Sequence, residues 1–552
     1  MTPNTPPYHL LSVRKLFSYL FIVATATWLI LFGIVDDTGK SGDDIIYNQT
    51  ADKQECRLPY LDAWDGEIVK YIYELRPLVC NEIQGELTYL ENYELFVNES
   101  SVNGMGLTGP DLDFNYRCFG RGEDDFSVKY SEWTPFIAKT HVTCQFIEVL
   151  ATTKFTGTQV YRYHHSQVLS INKTKFDKDR KSVFIFVLDS VSHSNFVRKL
   201  PKTLDLLKGE KYRSIVMNGM TKVGDNSFPN AVSFLTGKRV MVEGYPDEIS
   251  TDGGYFDSWP LIWKDFKSLN YTTLYAEDLP DFNLFTYLAK GFKNQPTDYY
   301  LRPFLDQIYS SWIHKRSSYL CYNKQKKHNI QLKYLTNFLS KTDGPFFALN
   351  WLTELGHDYI NQIEYGDQDI YQFFLDNHQR LEESFVFVLG DHGHRFDSIR
   401  QTITGRLEER LPFFSVSLPR SLYHTHKHLL IANSDKLTSF YDFHSTLEHI
   451  LNLEKSIKGE GDVVRGRSLL ANITKFRSCE DAGIPEEFCV CQRLIEVDVG
   501  KRVVREMADV LVEHINNITN KHNCQRLELT KIMHAEMILD NHKLIQNRPW
   551  AC

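Results

Sequence analysis

Four short stretches of the chain, SVFIFVL (182–188), PFFALNWL (345–352), SFVFVL (384–389) and PFFSVSL (412–418), are apolar almost from end to end. A strand with one face in water alternates apolar and polar residues, so a strand without alternation must be covered on both faces. Runs of this length, bounded by turns and separated by segments with helical spacing, predict a buried, mostly parallel central sheet flanked by crossover helices, an α/β fold. The pattern starts near Lys181 and gives way near Phe476, which sets a main domain over residues 181–475.

Three of these runs end on groups that are costly to bury alone. VFIFVL runs into Asp189, FVFVLG runs into Asp391-His392-Gly393-His394, and PFFALNWL is followed by TELGHD with His357 and Asp358. In open α/β sheets ligands bind beyond the carboxyl ends of the strands. Aspartates and histidines from separate strands meeting there are the donor types of a zinc-like or manganese-like ion. Taken singly, Asp189 suits a helix N-cap and His357 a structural imidazole, whereas one shared ion accounts for all three strand ends. A fourth piece is GDNSFPNAVSFLTG (224–237). Its glycine-led loop delivers Ser227 to the start of an amphipathic stretch, where the helix dipole and free N–H groups favour an anion. The same residues also fit an ordinary serine cap with Pro229 in the first turn.

The rest of the chain sets the surroundings. Leu16 to Val35 is 20 residues without a charge, long enough to cross a bilayer as a helix. Arg14 and Lys15 precede it and Asp36 and Asp37 follow, so residues 1–15 form a cytosolic tail, 16–35 a single-pass type II anchor, and the remainder is luminal or extracellular. Ala24-Thr25-Ala26 resembles a signal cleavage site, but the apolar run continues nine residues past it. All ten cysteines, at 56, 80, 118, 144, 321, 479, 489, 491, 524 and 552, lie after the anchor and read as up to five disulfides. The single residue between Cys489 and Cys491 is too short a spacing for a zinc knuckle. Sequons at Asn48, Asn98, Asn172, Asn270, Asn472 and Asn517 are glycosylation acceptors. Residues 36–180 form a stalk and a smaller cysteine-containing luminal subdomain, α+β or β-rich, and 476–552 a cysteine-rich extension with an amphipathic helix over 497–518. With 42% hydrophobic and 24% charged residues the chain is globular, and a net charge of −8 excludes a nucleic-acid-wrapping surface. His424, His426 and His428 alternate as on a solvated strand face, and Glu408-Glu409 reads as the surface end of a helix.

The order VLDS, SFPN…LTG, ELGHD, VLGDHG resembles the alkaline phosphatase and sulfatase superfamily over about Asp189–Leu470. The stretches LPKTLDLL, AEDLPDFNLFTYLAKGF, PTDYYLRPF and GRLEERLPFFSVSLP are similar to its animal branch called domain of unknown function 229. This resemblance implies an alkaline phosphatase-like fold in which Asp189, Ser227, Asp391 and His392 hold one metal, with Ser227 the nucleophile and Asn230 steadying the oxygens of the transferred group. A second metal in such proteins uses D-x-x-G-H and a distant histidine. Here Thr353 stands at the Asp position of Thr353-Glu354-Leu355-Gly356-His357, leaving Glu354 or Asp358 as substitutes and His394 or His444 as the distant ligand.

The resulting expectation is a membrane-anchored, metal-dependent hydrolase or transferase acting on phosphate esters or diesters, with one or two divalent ions (Zn, Mn or Ca) and His357 or His394 moving a proton. Its substrate, phosphorylated or sulfated, is not identified. Sulfatases need C/S-x-P-x-R, and Ala231 stands where the arginine belongs. The alternatives are a sulfatase-type esterase and a catalytically inactive binding ectodomain on the same fold.

Overall fold

A computed structural model describes residues 56–171, 173, 176–177, 179–453, 465–491, 493–520 and 525–539. The expected anchor at 16–35, the tail before it, the stalk up to residue 55, Asn48, Asn172, Cys524 and Cys552 lie outside the described residues. Among the described residues no helix is long and apolar enough to cross a membrane. The chain divides into two compact units, Glu55–Val490 and a second made of Cys491–Cys552 with Met1–Gln54.

The first unit is built on a seven-stranded sheet of β1 (Ser182–Leu188), β2 (Ile215–Val216), β3 (Thr272–Glu277), β4 (Tyr299–Tyr300), β5 (Phe346–Leu352), β6 (Ser384–Gly390) and β7 (Phe414–Ser417), in the order β2-β7-β6-β1-β5-β3-β4. β6, β1, β5, β3 and β4 run parallel, while β7 runs the opposite way between β6 and the short edge strand β2. Every residue of β1, β5 and β6 is buried, as their lack of alternation requires. Phe373 and Phe374 pack on Phe184 and Phe186 from one face of the sheet. From the helix Phe440–Leu451, Phe443 packs against Phe387 and Phe414. Each such ring contributes about 1.5–3 kcal/mol of burial.

Register then places the chemistry. Leu188 pairs with Leu352 on one side and Gly390 on the other. The residues that follow, Asp189, Thr353 and Asp391, therefore leave the sheet side by side at its carboxyl edge.

Antiparallel strands over Leu112–Arg121, Val128–Tyr130, Thr134–Phe136, Phe146–Thr153 and Gln159–Ser166 form the β-rich N-terminal layer. It shares one hydrophobic core with the α/β layers, Phe119 and Phe146 lying 6.4 and 5.4 Å from Phe304. Cys118–Cys144 closes this sheet, Cys80–Cys321 joins residues 241 apart in sequence, and Cys479–Cys489 closes a short loop. Cys56 and Cys491 are disulfide-bonded as well. Of the sequons, Asn98 caps the helix Glu99–Gly104, Asn270 is half-buried, and Asn472 and Asn517 are exposed. In the second unit, the amphipathic stretch forms the helix Arg502–Thr519, beginning later than the expected 497, beside an antiparallel pair, Arg493–Glu496 with Glu536–Leu539.

Two expectations are corrected. His424, His426 and His428 lie on a helix, Tyr423–Asn433; their surface is solvated, but a period of two misreads the element. Glu408 and Glu409 are both buried. Glu408 takes a two-pronged bond from Arg198 at 2.7 and 2.8 Å, and Glu409 accepts from Lys222. Helix Ile403–Arg410 lies over the strand ends, so its last turn faces inward, toward partners distant in sequence. Replacing Arg198 with Met should leave Glu408 buried without its charge partner, with only the Ser192 hydroxyl donating to it at 3.2 Å, lowering stability by about 3–5 kcal/mol. Urea unfolding of Arg198→Met beside an exposed control, Arg420→Met, checks this; equal midpoints would mean that the buried pair is dispensable.

Candidate metal and nucleophile site

Asp189 begins the carboxyl edge, its N–H donating to Leu352 O at 3.0 Å as if the ladder ran one residue further. The next residue, Ser190, has φ +63°, a conformation that costs a non-glycine residue about 1–3 kcal/mol. Two bonds hold it there: Ser190 N–H donates to Asp391 Oδ1 at 2.9 Å, and Ser190 Oγ to Asp189 Oδ1 at 2.8 Å. The loop after β5 presses on the same point. A Cβ at Gly356 would lie 2.2 Å from the Asp189 carbonyl oxygen, so only glycine allows this approach.

Ser227 is the first residue of the helix Ser227–Thr236, which Asn226 caps by accepting from Phe228 N at 3.2 Å. Its hydroxyl donates to Asp189 Oδ2 at 3.1 Å and lies 3.3 Å from His392 Nε2. Trp351 Nε1 also donates to Asp189 Oδ2, at 3.3 Å. Ligand atoms of Asp189, Asp391 and His392 lie within 4.8 Å of one another, and all three side chains are buried.

His392 Nδ1 is 2.8 Å from Gly393 O, and since a carbonyl can only accept, the ring proton sits on Nδ1. Burial, aided by the charges of Arg395 and Lys222, pushes this imidazole well below its ordinary pKa, so the ring is neutral and Nε2 keeps its lone pair. That lone pair lies 3.3 Å from Asp391 Oδ2, a buried oxygen that makes no hydrogen bond. Burial first, and the Asp189 charge second, push the Asp391 carboxyl up. Lone pairs facing each other in a buried space call for a proton or a metal cation between them. The spacing fits the latter, because ligands about 2.0–2.1 Å from a tetrahedral ion are separated by about 3.3 Å along each edge. Oxygen and imidazole donors without thiolate suit zinc or manganese.

The other expected site residues are placed differently. Asn230 is fully buried and its amide is saturated: Oδ1 accepts from Val223 N (2.8 Å) and Gly224 N (2.9 Å), and Nδ2 donates to Gly224 O (3.0 Å) and Asn226 O (2.9 Å). It staples the loop that carries Ser227 and has no donor left for a substrate oxygen. Glu354 is held by Tyr309 at 2.6 Å and by Lys327, inside the protein. His444 bonds Phe234 O at 2.9 Å and faces Glu448 of its own helix at 3.6 Å. His357 and Asp358 pair with each other at 2.8 Å in the mouth of the site. His394 Nδ1 accepts from Asp397 N at 3.2 Å, leaving a buried Nε2–H without a partner. Among the described residues these five do not converge on a second ion, and Asp189, Asp391 and His392 are the one cluster with carboxylate and imidazole donors.

Three neighbours escape a reading of the sequence. Lys222 is fully buried and reaches Glu409 and Asp225, Arg395 bonds Asp225 at 2.7 Å, and both carry positive charge to the site. Asn226, half-exposed beside the nucleophile, has an amide NH₂ that makes no hydrogen bond among the described residues. Lys222 and Arg395 sit next to recognisable motifs without belonging to one, and Asn226 lies inside the 224–237 loop, where its side chain reads only as a cap.

Fold and site together define an α/β protein with one carboxylate–histidine–serine centre at the carboxyl edge of its sheet. The sequence matches, over residues 74–533, the family described as protein of unknown function (DUF229), and the chain belongs to that family. No curated protein sequence matches it. Among solved structures it is similar to an alkaline phosphatase superfamily protein from Vibrio parahaemolyticus, with 17% identity, 56% of this chain and 73% of that chain covered and a TM-score of 0.38. It is also similar to a phosphonate monoester hydrolase from Silicibacter pomeroyi, with 12% identity, coverage of 58% and 80% and a TM-score of 0.35. For a lipoteichoic acid synthase from Listeria monocytogenes the identity is 12%, the coverage 64% and 96% and the TM-score 0.34.

Zinc or manganese titrated calorimetrically into the full-length protein should bind at one site, and His392→Gln or Asp391→Asn should weaken that binding by at least about 100-fold. His444→Gln should leave it unchanged. Wild-type affinity in the His392 variant would mean that the ion, if bound, sits elsewhere.

Proposed function

We propose that the chain is a metal-dependent enzyme that cleaves or transfers a phosphate ester or diester through Ser227. The observation that carries this reading is the placement of the Ser227 hydroxyl, 3.1 Å from Asp189 and 3.3 Å from His392 at a helix N-terminus. A divalent ion held by Asp189, Ser227, Asp391 and His392 would lower the serine pKa and neutralise charge on the phosphoryl group. Ser227 Oγ attacks phosphorus and forms the new P–O bond, while its proton passes to Asp189 Oδ2, the acceptor it already faces. The bond to the leaving alcohol breaks in line, and that oxygen takes a proton from the mouth, where His357 is the half-exposed donor paired with Asp358. Water or an acceptor alcohol then attacks the phosphoserine and gives its proton to His357, while the Ser227 Oγ–P bond breaks and Oγ takes back the proton held at Asp189, restoring Ser227. The helix dipole and the Asn226 amide supply the partial positive charge that the phosphoryl oxygens need.

Sulfate esters are the less favoured substrate, because Ala231 occupies the position at which the sulfatase motif carries its arginine. Membrane anchorage through Leu16–Val35, with the catalytic unit on the luminal or extracellular side and glycans on its sequons, belongs to the same reading. The disulfides fit that oxidising compartment. A non-catalytic ectodomain on this fold draws support from the saturated Asn230 amide and from Thr353.

With Zn²⁺ or Mn²⁺ present, full-length protein should turn over p-nitrophenyl phosphate or its diester faster than the sulfate. Ser227→Ala should lower that rate by at least about 10³-fold, and acid quenching should trap phosphate on the Ser227 peptide. Turnover that survives Ser227→Ala would remove the nucleophile from this scheme; no turnover with any ester would favour the binding ectodomain.

A further inference from the structure

The loops around the mouth expose apolar side chains in one connected strip. Tyr287 stacks on Phe282 at 5.2 Å, Phe282 lies 5.9 Å from His357, and His357 lies 5.5 Å from Phe396. All three aromatic side chains face water, Phe396 with 60% of its surface accessible, and Tyr359 is exposed next to the same histidine loop. Leu288, beside Tyr287, is 90% accessible and has φ +55°. A leucine held out in water by a left-handed backbone is unfavourable on two separate counts, and such strain persists where the surroundings impose it. Here they do. Leu284, Phe285 and Phe292 are buried beneath the loop, Leu284 N–H donates to Glu277 at 2.9 Å, and Asn283 Nδ2 donates to Asp278 O at 2.6 Å. The loop is thus fixed from below while its tip presents Phe282, Tyr287 and Leu288, followed by the exposed Lys290 and Lys293.

Aromatic rings, a projecting leucine and lysines whose stems can lie along an apolar surface are the composition of a segment that enters a membrane interface. Two further observations select a bilayer as the occupant. The sequence carries its own uncharged 20-residue run, Leu16–Val35, and the interval from 36 to 55 reaches at most about 70 Å when extended. Near its start the described chain passes Gly219 at Leu58, and ten residues on Ile68 packs on Ile360 and Ile399, close in sequence to Tyr359 and Phe396.

We propose that the rim formed by Phe282, Tyr287, Leu288 and Phe396 docks on the lipid bilayer, so that the Ser227 centre takes its phosphoester from a lipid head group in the membrane plane. The substrate half of this statement rests on the phosphoester reading above; the docking half does not.

The test is fluorescence of full-length protein reconstituted in phosphatidylcholine vesicles with or without brominated acyl chains. In Leu288→Trp, the added emission should be blue-shifted and quenched roughly twofold by the brominated lipid, as expected for a side chain at the acyl boundary. Phe155→Trp, on a fully exposed turn of the N-terminal sheet, should stay unquenched. Water-like, unquenched emission from Leu288→Trp would overturn the proposal and assign the rim to a soluble substrate or partner. Equal quenching at both positions would overturn it too, by removing any preference for the mouth. Quenching at 288 without turnover of any phosphate ester would leave docking standing and sink the reaction; turnover without quenching would do the reverse.

Discussion

The pairing of β1 with β6 in one register governs the rest of the molecule. Because Leu188 sits opposite Gly390, two aspartates emerge next to each other from two fully buried strands of the sheet. Like charges in that position repel and are poorly solvated, so the surroundings must compensate. Much of the neighbouring structure does this. Ser190 and the His392 amide donate to the carboxylates, Ser227 and Trp351 add side-chain donors, and a neutral imidazole leaves its lone pair on the same point. Positive charge stands behind them in Lys222 and Arg395, themselves balanced by Glu409 and Asp225.

How these parts are held matters as much as which they are. Ser190 is locked in a left-handed conformation, Gly356 touches the Asp189 backbone, and Asn230 uses all four of its hydrogen bonds on the loop in front of Ser227. A donor set assembled from three separate chain segments stays in place only if each segment is fixed independently. The side chains of His357 and Phe396 are more exposed than the donor set, which suits groups that must meet an incoming molecule.

Much of this is legible in the sequence, for a physical reason. Strands buried on both faces cannot alternate, so SVFIFVL, PFFALNWL and SFVFVL announce the centre of the sheet, and the polar residues after them announce its working edge. Direction is invisible in such runs, which is why β7 reads as a strand but not as an antiparallel one. The two-residue strands β2 and β4 carry no pattern at all. Charged residues mislead when their partners are remote: Glu408 reads as surface because Arg198 is 210 positions away. Asn230 matches a motif by position, yet its amide is spent on its own loop, through partners that the motif does not specify. The histidines at 424, 426 and 428 fall on a helix, whose turns a spacing of two residues does not track.

The bond between Cys80 and Cys321 has a consequence for how such a protein is handled outside the cell. It spans 241 positions, and the exposed stretch around Gly244–Gly254 lies inside that span. A protease that cuts there severs the backbone, but the two fragments stay joined through sulfur and migrate as one species until a reductant parts them. A nicked molecule can therefore pass for an intact one on a non-reducing gel.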